Sequence, residues 1–204
     1  MKRRTFLGTA LAITAAAPLF AALRGKRWDA AAEVLERATA GKQVDAAVLH
    51  VAQGDESLTR HFGKAASGDA MFLLGSVSKP INVAAVMTLF DRGEFRLDDR
   101  VRRFLPAFDG DGRGDVTIRH LLTHTSGLPD QLADNDQLRK RHAPLSEFAG
   151  QAMRTPLGFA PGARYQYSSM GILLATQIGE RLGGSDILEL VDRTVFEPLG
   201  DFGA

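Results

Sequence analysis

The chain has 204 residues, of which 25 are Lys or Arg, 24 are Asp or Glu and none is Cys. Hydrophobic residues make up 45% and charged residues 24% of the sequence, a globular balance that excludes a disordered or fibrous protein. The lack of Cys excludes disulfides, a thiolate nucleophile and cysteine-based metal sites. Domains of about 150 residues are typical, so the length predicts one domain or slightly more.

The N-terminus has the pattern of an export signal over residues 1–25. Three basic residues at positions 2–4 precede an uncharged, alanine-rich stretch that runs to Leu23. The order Arg3-Arg4-x-Phe6-Leu7 is typical of a twin-arginine signal. The alternative is an uncleaved membrane anchor, because 18 consecutive residues carry no charge. We therefore expect a periplasmic or extracellular bacterial protein, with membrane contact only through an uncleaved signal.

Cleavage of the signal changes the charge balance of the chain. Without residues 1–23, 22 basic and 24 acidic side chains remain. This balance provides no basic patch of the kind that binds phosphates, so nucleic acid is not an expected partner.

The remaining chain, residues 26–204, is predicted to form a hairpin followed by helices. Helical spacing comes first, at residues 28–39, and two strands follow at 44–51 and 58–62. The apolar spacing predicts further helices at 76–90, 118–122, 145–153, 170–182 and 187–195. Ser185 is the predicted N-cap of the last helix.

Ser76-Val77-Ser78-Lys79 is the first motif that could carry chemistry. Spacing of i to i+3 in a helix puts Ser76 and Lys79 on one face, so the amine can reach the hydroxyl. A serine becomes a nucleophile when a base takes its proton, and a lysine partly removed from water can assist. The first N–H groups of a helix can also bind an oxyanion. Alone the motif is weak, because a capping serine followed by a solvated lysine has the same pattern.

Two later motifs give this pair its context. The first runs from His120 to Pro129 (HLLTHTSGLP) and the second from Pro161 to Gly171 (PGARYQYSSMG). In this order, over most of the exported chain, the three motifs resemble the serine β-lactamase family, closest to the class C enzymes and their esterase and D-amino-acid-peptidase relatives. The resemblance implies a β-lactamase/transpeptidase-like α/β (α+β) fold, an antiparallel sheet flanked by helices.

The resemblance also implies roles for four residues. Ser76 matches the acylated nucleophile, Lys79 the residue that helps activate it, and Tyr167 the tyrosine of the family's Tyr-x-Asn element. Because the amine and the phenol would titrate as a coupled unit, we assign the base to the Lys79–Tyr167 pair. Ser169 stands where the family has Asn, so substrate binding there depends on a hydroxyl instead of an amide. Neither a metal nor an organic cofactor is expected.

The family's third element, Lys-Thr-Gly or His-x-Gly on a strand, occurs nowhere after Tyr167. That strand would supply the second oxyanion donor, so residues 26–204 are expected to be a partial domain without the C-terminal strands. The predicted function is acyl-enzyme hydrolysis of an amide or ester, with a β-lactam, peptide or ester as substrate. The alternative is a non-catalytic remnant or fragment that binds or folds only with a missing C-terminal segment. Activity of these 204 residues unaided is left open.

Three further features are interpreted as structural. His120 and His124 have the i, i+4 spacing of a metal pair, but no third ligand follows at a convincing spacing. The acidic, glycine-rich segment 109–115 lacks the ligands of a calcium loop and is predicted to be an exposed turn. Ser78 and Tyr165 are predicted to support local structure and packing.

Overall fold

The structure is a computed structural model that describes residues 28–200. The predicted export signal and the last four residues lie outside the described residues. The described chain forms two compact units, residues 28–73 and residues 74–200. The boundary predicted from the sequence, between residues 25 and 26, stays a prediction.

The first unit contains one helix and a two-stranded antiparallel sheet. Helix α1 occupies residues 28–40, followed by β1 (Ala46–Gln53) and β2 (Glu56–Gly63). All eight positions of each strand pair, from Ala46 opposite Gly63 to Gln53 opposite Glu56. The two-residue turn between the strands uses Gly54, whose φ of +61° suits a tight hairpin. The predicted strands are confirmed, with β1 two residues later than expected.

The second unit is helical. Its helices are α2 (Ser78–Asp91), α3 (Val101–Phe104), α4 (Ile118–Leu122), α5 (Asn135–Lys140), α6 (Leu145–Ala152), α7 (Ser169–Gly183) and α8 (Ile187–Val191). A π-helical turn, Asp192–Phe196, continues α8. The predicted helices are present, and α3 and α5 are additional, because four or six residues are too few to show a clear helical period.

Helix α7 is the central helix of this unit. Helices α2, α4, α6 and α8 all pack against it, and eight of its fifteen residues are buried. Its start is capped by Ser168, whose Oγ accepts the N–H of Gly171 at 3.0 Å, and its end by Gly184 at φ +70°. Because α7 starts directly after Tyr167 and is held on several sides, it positions that residue in the unit.

Two sequence predictions need correction. Ser76 lies in a 3-10 turn, Gly75–Val77, and the α-helix begins only at Ser78. The N-cap of α8 is Asp186, whose carboxylate accepts the N–H of Glu189 at 2.9 Å. The Ser185 hydroxyl is buried without a hydrogen-bond partner, because Asp186 already satisfies the helix start.

Within residues 28–200, no helix has both the length and the apolar character that a membrane crossing needs.

Candidate active site

Two loops of the second unit are joined by backbone hydrogen bonds, and together they position the tyrosine of the third motif. We call residues 123–130 and 158–168 the paired loops. The N–H of Gly158 donates to the Gly127 carbonyl, the N–H of Gly162 to Thr125, and the N–H of Gln166 to His124, each at 2.8 Å.

A glycine is required where the two loops come closest. Gly127 has φ +88°, and a Cβ there would lie 2.3 Å from the Phe159 carbonyl oxygen. Only a glycine combines that φ with so close an approach of two backbones. The family motif that contains Gly127 is therefore part of the scaffold that holds the second motif in place.

Ser76 and Lys79 are in direct contact. The Lys79 Nζ donates a hydrogen bond of 2.8 Å to the Ser76 Oγ. Ser76 lies in the 3-10 turn Gly75–Val77 and Lys79 in the first turn of α2, and their spacing of three residues places both side chains on one face. Ser78 is structural, as predicted: its hydroxyl donates to the Gly75 carbonyl at 2.8 Å.

Tyr167 joins this pair from the paired loops. Lys79 Nζ lies 5.2 Å from the centre of the Tyr167 ring. Hydrogen bonding with the Lys79 side chain, and then with the Ser76 side chain, lowers the pKa of the Tyr167 phenol below its ordinary value of 10.0. The structure thus brings together the three residues predicted to be catalytic, and a lowered pKa makes the phenol a better proton carrier near neutral pH.

Ser169 is bound to an acidic residue that the sequence analysis did not identify. Asp130 Oδ1 accepts both the Ser169 N–H at 2.9 Å and the Ser169 hydroxyl at 2.7 Å. A carboxylate at the start of the 15-residue α7 also compensates the positive end of the helix dipole. The available signal was the position of Asp130 directly after the motif that ends in Gly127-Leu128-Pro129, but its partner Ser169 lies 39 residues later in the sequence.

Ser76, Lys79 and Ser169 line one open cavity of about 350 Å³. Gln131 and Arg139 lie on its wall as well, so the surroundings of the serine are polar and carry two cations. A neighbouring cavity of about 290 Å³ shares Ser76 and Lys79 and adds Tyr167 and His124. A small substrate in these cavities would meet the serine hydroxyl and the Ser169 hydroxyl together.

His120 and His124 each make hydrogen bonds to the backbone of the second unit. His120 belongs to the cap of α4: its Nδ1 accepts the Thr117 N–H at 3.2 Å, and its own N–H donates to Thr117 Oγ1 at 3.3 Å. Among residues 28–200, no group of three or more metal-binding side chains comes together.

The segment 109–115 differs in part from the predicted exposed turn. Arg113 is buried, at 8% exposure, and donates to the carbonyls of Asp109, Arg154 and Thr155. A buried guanidinium has five N–H groups to satisfy, and these three carbonyls, together with the Asp111 carboxylate at 3.2 Å, supply four acceptors. Arg113 therefore ties the turn to the end of α6.

A serine hydroxyl that accepts a hydrogen bond from a lysine three residues later, with a tyrosine beside that lysine, is the arrangement that the resemblance to serine β-lactamases implies. The chain belongs to the β-lactamase family, whose family model, Beta-lactamase, matches residues 31–203.

Known relatives agree with this membership. The chain is 36% identical to Esterase EstB of Burkholderia gladioli over 82% of its own length and 48% of the esterase. It is 34% identical to Penicillin-binding protein 4 of Amycolatopsis lactamdurans over 70% of its length and 38% of that protein. A D-stereospecific amidohydrolase from Streptomyces sp. superimposes with a TM-score of 0.72 and 27% identity over 83% of this chain and 54% of that structure.

The chain therefore spans between about a third and a half of the curated relatives it matches. The predicted β-lactamase/transpeptidase-like fold class is confirmed by the structural neighbours, and the sheet of the described residues consists of β1 and β2.

Proposed function

We propose that this chain is a serine hydrolase that cleaves an amide or ester through an acyl-enzyme on Ser76. The observation that carries this proposal is the 2.8 Å hydrogen bond from Lys79 to the Ser76 hydroxyl, with Tyr167 beside both. The relatives' names, an esterase, a penicillin-binding protein and a D-stereospecific amidohydrolase, support small-molecule or peptide substrates with an acyl group.

In acylation, Ser76 Oγ attacks the substrate carbonyl carbon, and the carbonyl π electrons move to its oxygen. The proton of Oγ passes to the Lys79–Tyr167 pair. An ammonium has no lone pair, so while Lys79 is protonated it can only donate to Oγ, and the acceptor must be the Tyr167 phenolate. The pKa of Tyr167 is lowered by hydrogen bonding with Lys79 and Ser76, which favours that phenolate.

The oxyanion would bind to the N–H of Ser76 itself. Ser76 is the second residue of the 3-10 turn, and the first N–H groups of a helix have no acceptor within the helix. When the tetrahedral intermediate collapses, the C–N or C–O bond breaks and the leaving amine or alcohol takes the proton from the pair. Water then attacks the acyl-enzyme by the same route in reverse, which releases the acid and restores Ser76.

Ser169 is proposed to contact the substrate from the other side of the cavity. Its hydroxyl hydrogen is donated to Asp130, so the hydroxyl oxygen remains as an acceptor for a substrate N–H or O–H. An asparagine at this position would offer an N–H₂ donor as well. We therefore expect Ser169 to favour substrates that present a donor to it.

Labelling with a fluorophosphonate probe tests acylation directly. Wild type should form a covalent adduct on Ser76, detected by intact mass and located by peptide mass spectrometry. Ser76→Ala should not react, whereas Ser57→Ala, an exposed serine on β2, should react like wild type. Equal labelling of wild type and Ser76→Ala would refute acylation at Ser76.

The alternative function is a non-catalytic binding fragment. A remnant or fragment that binds or folds only with a missing C-terminal segment would react neither with the probe nor with p-nitrophenyl esters. A cooperative thermal transition of the chain alone would count against the folding part of this alternative. Labelling of the 204-residue chain, followed by ester turnover, would exclude this alternative.

Export by a twin-arginine signal is proposed from residues 1–25 alone. The supporting pattern is Arg3-Arg4-x-Phe6-Leu7 followed by uncharged residues. Changing both arginines to lysine should retain the chain in the cytoplasm of an expressing bacterium. An unchanged periplasmic fraction would contradict this proposal.

A further inference from the structure

His124 is bound to the chain on both sides of Tyr167. The Gln166 N–H donates to the His124 carbonyl at 2.8 Å, and the Ser168 N–H donates to His124 Nδ1 at 3.2 Å. One residue therefore holds the two neighbours of Tyr167, and the donor on the helix side, Ser168, is fully buried. A movement of the backbone at Tyr167 relative to His124 would break one of these two hydrogen bonds.

The imidazole also contacts the phenol ring itself. The ring centres of His124 and Tyr167 are 4.6 Å apart with an interplanar angle of 37°, and the Tyr165 ring meets His124 edge-on at 5.9 Å. His124 thus limits both the position of the Tyr167 backbone and the direction in which its ring can point.

The hydrogen bond to Nδ1 requires a neutral imidazole, because an imidazolium has no acceptor. Burial is the main cause that lowers the pKa of His124, and the positive charge of Lys79 lowers it further, whereas the contact with the Ser168 backbone and the charge of Asp130 act in the opposite direction. The groups that face the ring are therefore Lys79 from α2, Asp130 from the paired loops, and the two tyrosines. A second cation beside Lys79 would be unfavourable, so the ring stays neutral at pH 7.

We propose that His124 is a positioning residue for the acylation step: its neutral Nδ1 and its ring hold Tyr167 within reach of Ser76 and Lys79. This inference rests on the proposed function for its catalytic consequence. The geometric part, that His124 determines the surroundings of the Tyr167 phenol, can be measured without any reaction.

Two variants separate the contacts. In His124→Phe the ring contact remains and the acceptor is lost. In His124→Asn the ring is lost, but the amide oxygen takes the place of Nδ1, and Asn tolerates the φ of +57° at this residue. His142→Asn is the matched control, because His142 is exposed and also has a positive φ, +54°.

The rate of fluorophosphonate labelling as a function of pH is the first measurement. We expect His124→Phe to slow labelling about tenfold at pH 7, because a misplaced general base loses part of its contribution. The rise of the labelling rate with pH should also move to higher pH in this variant. His124→Asn should recover most of the rate, and His142→Asn should equal wild type.

Ultraviolet titration of the Tyr167 phenol, in a Tyr165→Phe background, is the second measurement. The phenol should titrate at higher pH in His124→Phe than with His124 present. If the phenol and the labelling profile are the same in both variants as in wild type, the proposal is overturned. Equal losses in the Phe and Asn variants, with lower thermal midpoints and unchanged pH profiles, would also overturn it in favour of a purely structural role.

A different result would refute the proposed function. If wild type itself is not labelled at Ser76, acylation is refuted, while the phenol titration still decides whether His124 positions Tyr167.

Discussion

Lys79 donates a hydrogen bond of 2.8 Å to the hydroxyl of Ser76, three residues earlier in the chain. The two residues lie on either side of the junction between a 3-10 turn and α2, and their spacing of three residues places both side chains on one face in either type of helix. In the proposed mechanism Lys79 orients the serine oxygen, and the proton leaves through Tyr167.

Replacement of Lys79 should remove this orientation. We expect Lys79→Met to slow fluorophosphonate labelling by about 100-fold or more, the lower end of what a proton-transfer group contributes. The matched control is Lys140→Met, at the exposed end of α5, which should label at the wild-type rate. A Lys79→Met chain that labels as fast as the control would exclude a role for the amine.

The phenol of Tyr167 should be required for the same step. Tyr167→Phe keeps the ring against His124 and removes the hydroxyl, so labelling should fall by about 100-fold or more. Because hydrogen bonding with Lys79, and then with Ser76, lowers the pKa of the Tyr167 phenol, its ultraviolet titration in the Tyr165→Phe variant should begin at lower pH than that of free tyrosine. Tyr165→Phe should retain activity; comparable loss in both variants would mean that general packing is responsible.

Asp130 should stabilise the start of α7. Asp130→Ala removes the acceptor of both the Ser169 N–H and its hydroxyl, and loss of such bonds to a charged group costs about 1.5–3 kcal/mol. Urea unfolding measures the change. Asp136→Ala, in the exposed first turn of α5, is the control and should change stability much less. Equal stability of the two variants would contradict the capping role.

A pair of glycine substitutions should test how closely α2 and α7 pack. A Cβ at Gly179 would lie 2.7 Å from Val86 Cγ2, so Gly179→Ala should destabilise the chain by about 1–3 kcal/mol. A Cβ at Gly150 in α6 meets nothing closer than 3.8 Å, so Gly150→Ala should stabilise the chain by about 0.5–1 kcal/mol. Thermal or urea unfolding measures both changes in stability. Changes of the same sign in the two variants would disprove the packing argument.

Because the pKa values of two histidines are lowered, the free energy of unfolding should decrease as the pH falls below 6.5. Burial is the main cause for both His120 and His124, whose pKa values lie below the ordinary 6.5. The unfolded chain therefore binds more protons than the folded chain in this range. Their contribution to stability is complete above pH 6.5 and is lost as the pH falls toward the folded-state pKa values.

Urea midpoints measured from pH 8 to pH 5 would show this loss. His124→Asn should reduce the slope of these midpoints against pH below pH 6.5. An identical slope in wild type and His124→Asn would exclude His124 as a contributor.

The shortest helices and the exact N-cap of α8 could not be predicted from the sequence. Helices α3 and α5 contain four and six residues, less than two helical turns, so their apolar spacing carries little information. Ser185 and Asp186 are both good N-cap residues by type, and only the backbone direction decides which of them faces the helix start.

The sequence by itself determined the contact between Ser76 and Lys79, because residues three apart in any helical turn lie on one face. It also determined the family, through the order of three motifs. Only the tertiary structure decided that Tyr167 reaches this pair, that Asp130 holds Ser169, and that His124 binds Ser168, 44 residues later. The last two contacts join residues 39 and 44 positions apart. Spacing along one helix or strand shows which neighbouring side chains share a face, but it does not show which distant segments of the chain meet.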